Sequence, residues 1–156
     1  MAEPTPRSAV ASRLGYAGTL PLLLIAAAMW VVPGWQSWLH PALLAYAALV
    51  LSFVGAVHWG LALVDAPPLP QGFAERMFAW SVVPCLVAWV ALLAPRPWAT
   101  LLLVAGMLVQ RLQDQRLARV RTLPRWYLRL RTHLSVVFVV CLLAALAAVY
   151  IAYGVS

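Results

Sequence analysis

The sequence predicts an all-α integral membrane bundle of five transmembrane helices, with the N-terminus cytoplasmic and the C-terminus periplasmic. Three observations lead there. Of 156 residues, 65% are hydrophobic and 10% charged, whereas soluble domains run near 45–50% apolar and about 25% charged. Long apolar stretches recur along the chain at close to the ~20 residues that a bilayer core demands. The arginines between those stretches are unevenly shared. This composition excludes a water-filled globule, a disordered chain and a collagen-like rod. No polar stretch is long enough to build a second, soluble domain.

The chain divides into a cytoplasmic N-terminal tail, 1–13, and a single membrane domain, 14–153. The first span, 14–32, is interrupted by Tyr16, Thr19 and Pro21. It is longer than the 7–15 residue core of a signal peptide, and Pro33-Gly34-Trp35 follows it instead of a small-residue cleavage site, so it reads as an uncleaved helix. Glu3, Pro4 and Pro6 in the tail fit a mitochondrial transit peptide poorly. The second span is 42–64, and the third, 77–94, contains Pro84. The fourth, 98–112, is the weakest, because its uncharged run is short and Arg111 must snorkel. The fifth, 134–153, carries no charge. Pro33-Gly34, Pro67-Pro68 with Pro70, and Pro95 with Pro97 punctuate the connections. Helices are expected because unpaired backbone groups are too costly in lipid.

Arginine placement sets the orientation and supports the fourth crossing. If all five stretches cross, the inner segments hold Arg7, Arg13 and Arg76, together with Arg111, Arg116, Arg119, Arg121, Arg125, Arg129 and Arg131. The outer segments hold Arg96 alone. That is a positive-inside pattern, and it collapses if the fourth stretch stays on one side. Trp35, Trp38, Trp98, Trp126 and Tyr127 fall near the boundaries as an aromatic belt.

All eleven cations are arginine, an expected outcome of compositional bias in a GC-rich genome, and the net charge is +7. Because these arginines crowd beside apolar spans, membrane lipid is the expected partner and nucleic acid is not. Anionic lipid attracts a juxtamembrane arginine by roughly 1 kcal/mol. The candidate anionic-lipid contacts are therefore Arg111, Arg116, Arg119, Arg121, Arg125, Arg129 and Arg131. Cys85 and Cys141 lie inside apolar stretches and read as packing thiols.

An ionisable residue inside a membrane is a functional hypothesis by default, and His58 sits well inside, in Gly55-Ala56-Val57-His58-Trp59-Gly60. It lies about 9 Å above the inner end of its span. Gly15, Gly18, Pro21, Trp80, Ser81 and Pro84 share that depth, and Gln110 and Asp114 bracket the inner end of the fourth span. The expectation is a polar pocket or packing node on the cytoplasmic side, built from His58, Trp59, Trp80, Ser81, Gly18, Pro21 and Pro84. Ala48, Ser52, Ala56 and Gly60 recur every four residues as a smooth ridge for close helix approach. His40 and His133 lie too far from His58 in depth to share a haem. No metal-ligand spacing, catalytic triad, phosphate loop or carboxylate pair is present, so no cofactor and no metal are expected.

Leu14-Gly15-Tyr16-Ala17-Gly18 with Pro21, Val57-His58-Trp59-Gly60, Trp80-Ser81-Val82-Val83-Pro84, and Pro124-Arg125-Trp126-Tyr127 with Leu130-Arg131 occur in that order. Together they resemble the membrane-protein family called domain of unknown function 3429, which extends to animal transmembrane protein 69. The resemblance covers roughly 12–153. It implies a multi-helix protein of the bacterial inner membrane or of mitochondria, with no established activity. Where members of that family often carry an Asp-Arg pair after the fourth span, this chain has Asp114-Gln115-Arg116.

Function follows in two readings. The first is a non-enzymatic accessory protein of the bacterial cytoplasmic (inner) membrane, or of the mitochondrial inner membrane in a eukaryote, that packs against lipid or a larger membrane complex. The alternative is a small carrier or binder of a lipid-like or quinone-like molecule that uses His58. An enzyme acting on lipid would have only Ser81 and His58 to draw on.

Overall fold

The computed structural model describes residues 6–64 and 72–153. Helices α1 (Pro6–Ala17), α2 (Leu20–Val31), α3 (Gln36–Ala62), α4 (Phe73–Leu93), α5 (Arg96–Val120) and α6 (Arg125–Tyr153) follow in order, with one 3₁₀ turn at Pro33–Trp35.

The expected first span is two helices. Pro21 has no N–H to offer the Ala17 carbonyl. The helix therefore breaks at Gly18-Thr19, and Pro21 sits in the first turn of α2, where its missing donor costs nothing. The Tyr16 carbonyl near the end of α1 accepts both the Thr19 hydroxyl at 2.7 Å and the Thr19 N–H at 3.0 Å. Helical structure also starts at Pro6, inside the segment read as a tail.

The remaining helices overrun their expected bounds at their polar ends. α3 begins at Gln36 and takes His40 and Pro41 into its first turns. It is about 40 Å long, more than a hydrocarbon core requires. α5 continues past Leu112 to Val120, and α6 begins at Arg125, directly after Pro124. Apolar length underestimates such helices because their last turns reach into polar surroundings. At the start of α4, Gly72 adopts φ +72°, a left-handed position that favours glycine.

Among the described residues four stretches are long and apolar enough to cross a membrane: Ser8–Val31, Pro33–Ala62, Phe73–Leu93 and Arg125–Ala152. α5 is outside that set because it carries Arg96, Arg111, Asp114, Arg116 and Arg119. It is nonetheless built into the bundle, and its Ala99, Leu103 and Met107 join the same core as Leu51 of α3 and Phe138 of α6.

α3 is central, packing on α2, α4, α5 and α6, while α4–α5, α5–α6 and α6–α2 complete a ring. Helices consecutive in sequence run antiparallel from α3 to α6, whereas α2 and α6 run parallel, with Gly15 by Leu130 and Leu134 at one end and Gln36 on Ala148 at the other. Pro84 of α4 meets Gly55 of α3, Trp80 of α4 meets Gln110 of α5, and Ser135 of α6 meets Met107 of α5. The closest approaches use glycines other than the expected ridge. A Cβ at Gly55 would sit 2.7 Å from Pro84 Cγ, and one at Gly106 would sit 2.8 Å from Leu51 Cδ2. In the four-residue ridge, by contrast, Ala56 and Gly60 are exposed and Gly60 has no neighbour within 4 Å of a built Cβ. The register of close packing on α3 is thus displaced from the one the small residues suggested.

The two ends of the bundle differ. Arg13, Arg76 and the arginines from Arg111 to Arg131 gather where α3 and α5 end and α4 and α6 begin. Arg96 stands at the opposite end, among exposed Trp30, Trp35, Trp38 and Trp98. Gln36 ties that second end together: its amide donates to the Met29 carbonyl at 3.0 Å and the Ala148 carbonyl at 3.3 Å.

Candidate functional site

Five side chains from four helices form one buried chain of polar contacts near the arginine-rich end. Trp80 Nε1 donates to Gln110 Oε1 at 2.9 Å. Because indole can only donate, the Gln110 oxygen must face it, and the Gln110 amide nitrogen faces the other way. That nitrogen donates to His58 Nδ1 at 3.1 Å and to Asp114 Oδ1 at 3.3 Å. A neutral His58 that accepts at Nδ1 carries its proton on Nε2. Nε2 points at Asp114 Oδ1 from 3.8 Å, too far for a hydrogen bond, and is buried without a partner. On its far side Asp114 holds Arg131, with Oδ2 2.9 Å from Nε and 2.7 Å from Nη2. Asp114 is only 2% exposed and His58 3%.

Helix periodicity assembles this cluster. Gln110 and Asp114 are four residues apart and share one face of α5. α4 supplies Trp80 on one side, α3 supplies His58, and α6 supplies Arg131. A buried carboxylate with no cation would be very costly, so the acid on α5 recruits an arginine from the block beside it. Two of the seven arginines expected at the lipid surface therefore turn inward. Arg131 pairs with Asp114, and Arg121 is buried and donates to the Val64 carbonyl. Arg111 is half-buried and donates to Thr132 Oγ1 at 2.7 Å. Arg116, Arg119, Arg125 and Arg129 are exposed.

Arg131 links this cluster to a cleft of about 600 Å³ between α1–α2, α3 and α6. The walls are almost wholly apolar: Leu14, Gly15, Gly18 and Leu22 on one side, Val50, Phe53, Val54 and Val57 on the second, and Leu130, Leu134 and Phe138 on the third. Tyr127, Arg131 and Ser135, spaced four residues apart on α6, make a polar stripe down the third wall. Leu14, Leu49 and Phe53, which are highly exposed, stand at the mouth. Tyr16 donates to or accepts from His133 Nδ1 at 2.9 Å, and Gly15 lies against Leu130 and Leu134, so α1 is fastened to α6 along this opening.

The residues expected to form one pocket are thus divided. His58 and Trp80 lie in the polar cluster, and Gly18 lines the cleft. Pro21 begins α2. Ser81 is buried but donates back to the Phe78 carbonyl of its own helix, and Pro84 packs on Gly55. Trp59 faces outward at 49% exposure, edge-on to Phe78. His58 is not a lining residue; it meets the cleft only through Asp114 and Arg131. The inward turn of Arg131 and the roles of Tyr127 and Ser135 were missed in the sequence. One signal was available: Asp114 is the single acid between Glu75 and the C-terminus, so some arginine had to leave the surface to meet it. Cys85, read as a packing thiol, is exposed on α4, whereas Cys141 is buried. Among the described residues no group of three or more His, Cys, Asp or Glu could hold a metal ion.

The cluster makes a graded prediction. Trp80→Phe keeps most of the ring and deletes one N–H, which should cost about 1 kcal/mol of unfolding free energy. Gln110→Ala strands the Trp80 donor and removes the bonds to His58 and Asp114, so it should cost more, about 1–3 kcal/mol. Thermal unfolding in detergent reads both, and equal losses would contradict a hub role for Gln110.

A family model described as "Protein of unknown function (DUF3429)" matches residues 7–147. "Transmembrane protein 69" of Xenopus tropicalis is 34% identical over 135 residues, which is 85% of this chain and 52% of that relative. The chain therefore spans about half the length of this curated relative. No solved structure matches. The family match embraces the α1–α2 break, the cluster and the cleft, and this chain belongs to the DUF3429 family, related to transmembrane protein 69.

Proposed function

We propose that this protein is a non-enzymatic accessory component of the bacterial inner membrane, or of the mitochondrial inner membrane in a eukaryote, and that it holds a lipid-like amphipath in its lateral cleft. The observation that carries the reading is the cleft itself. Its volume of about 600 Å³ falls within the range of small-molecule sites, roughly 300–1,000 Å³. Its walls are hydrocarbon and its mouth is formed by exposed apolar side chains, so a chain from the bilayer can enter sideways. A short polar stripe at Arg131 suits the polar end of such a molecule. His58 stands behind that stripe, bonded to the Gln110 amide that also donates to Asp114.

The reading takes α5 as a fifth crossing, with the arginine-rich end cytoplasmic. Support comes from its antiparallel packing between α4 and α6, its length of about 37 Å, and the segregation of arginine to one end. Exposed Arg116, Arg119, Arg125 and Arg129 then meet anionic head groups, each contributing roughly 1 kcal/mol. A larger membrane complex remains a second kind of partner for the outer surface.

A lipid carrying a photoactivatable diazirine in its acyl chain tests the reading. Adducts should concentrate between residues 49 and 57 of α3 and 127 and 138 of α6, and Val50→Trp, which fills the cleft, should remove most of them. Adducts spread evenly over the lipid-facing side of α4, at Val82, Leu86 and Trp89, would contradict it.

A further inference from the structure

We infer that the cleft selects an uncharged amphipath whose polar end is a hydrogen-bond acceptor, such as a quinone or ester carbonyl, over an anionic one. This inference rests on the lipid-binding reading above and specifies its ligand.

The first ground is charge. Arg131 lines the cleft but is 95% buried and is already matched by Asp114, with contacts of 2.9 and 2.7 Å to one carboxylate oxygen. The pair sums to zero. An anionic head group entering beside it would have to displace Asp114 or stand as an excess buried charge, and either is costly in a low-dielectric site. An uncharged acceptor needs neither, because guanidinium presents five N–H groups and Asp114 engages two of its nitrogens.

The second ground is the donor–acceptor balance of the wall. Two hydroxyls are already committed: Thr19 donates to the Tyr16 carbonyl and Tyr46 to the Gly18 carbonyl. Ser135, one turn beyond Arg131 and 95% buried, has only the Met107 sulfur as acceptor, at 3.6 Å. Sulfur is a weak acceptor, so this proton is readily given to an incoming oxygen. Arg131 can only donate, and the Ser135 proton beside it is weakly held, so an occupant whose polar atom accepts is matched by both groups at once without adding charge.

Competition against the diazirine lipid tests the inference on the whole protein in nanodiscs. The competitors share an eighteen-carbon scale of hydrocarbon: monoolein (uncharged, ester carbonyl), oleyl phosphate (anionic) and octadecene (no acceptor), with a short-chain benzoquinone as a second uncharged acceptor. Monoolein and the benzoquinone should displace the probe at a concentration at least tenfold lower than oleyl phosphate or octadecene. Asp114→Asn keeps the side-chain shape and frees the Arg131 charge, so it should move the preference at least tenfold toward oleyl phosphate. Strongest competition by oleyl phosphate in the unaltered protein, or equal competition by octadecene, would overturn the inference while leaving a lipid cleft in place. If the probe never labels the cleft, the lipid-binding reading itself fails. Should Asp114→Asn not fold, the order of competitors in the unaltered protein decides alone.

Discussion

Arg131→Ala is expected to cost the fold about 3–5 kcal/mol, the loss typical when one member of a buried ion pair is removed. It leaves Asp114, 2% exposed, with a Gln110 amide at 3.3 Å and a His58 nitrogen at 3.8 Å as its nearest support. Neither replaces a guanidinium. Asp114→Ala should be similarly damaging, because it leaves the buried Arg131 without its anion. The double variant Asp114→Asn with Arg131→Gln removes both charges while leaving two amides that can hydrogen-bond, and should recover more than half of the single-variant loss. Tryptophan-monitored thermal unfolding in detergent, run as a double-mutant cycle, gives the coupling directly. Additive losses would mean that the two charges do not depend on each other.

Gly55→Ala is expected to be the next most damaging change. The added methyl would lie 2.7 and 2.8 Å from Pro84 Cγ and Cβ. A proline ring in mid-helix cannot rotate away, so α3 and α4 must separate. Overpacking of this kind costs about 1–3 kcal/mol. Gly60→Ala, five residues on in the same helix, meets nothing within 4 Å. It should be neutral or slightly stabilising, since alanine exceeds glycine in helix propensity by about 1 kcal/mol. Pro84→Ala should rescue much of the Gly55→Ala loss. Thermal midpoints of the three variants decide, and equal effects at positions 55 and 60 would contradict the packing register described.

This contrast shows where the sequence was legible. Length and composition are enough to see the helices, because lipid leaves the backbone no other option over such apolar stretches. Their ends were less visible: α5 and α6 extend into the arginine block through Arg116 and from Arg125, where hydropathy falls although the helix continues. The face of each helix was less visible still. Ala48, Ser52, Ala56 and Gly60 make a ridge by spacing alone, but the face that α3 turns inward is set by Gly55, which meets Pro84 of α4, and by Leu51 and His58, which meet Gly106 and Gln110 of α5. In a uniformly apolar helix the hydrophobic pattern does not distinguish a lipid face from a protein face.

The polar residues carried more information. His58 and Trp80 could be placed at similar depth, with Gln110 and Asp114 bracketing the inner end of the fourth span, from span bounds alone, so that all four fall in the cytoplasmic third. Which of them touch was not readable, and neither was the inward turn of Arg131. Charge inventory points to some arginine for Asp114; only three-dimensional packing selects the one that α6 presents across from α5. The cleft was invisible for a different reason. It opens between α1–α2, α3 and α6, where only the packing of separate helices decides it, and a void leaves no mark in composition.

The account depends most heavily on α5 crossing the membrane, since that crossing buries Asp114 and brings Arg131 to the cleft. Single cysteines at Ala94 and Thr122, in a background with Cys85 and Cys141 replaced by alanine, report on it in intact cells treated with a membrane-impermeant maleimide. The account predicts labelling at position 94 from outside, and at position 122 only after the membrane is opened. Labelling of both positions from the same side would show that α5 does not cross and would contradict it.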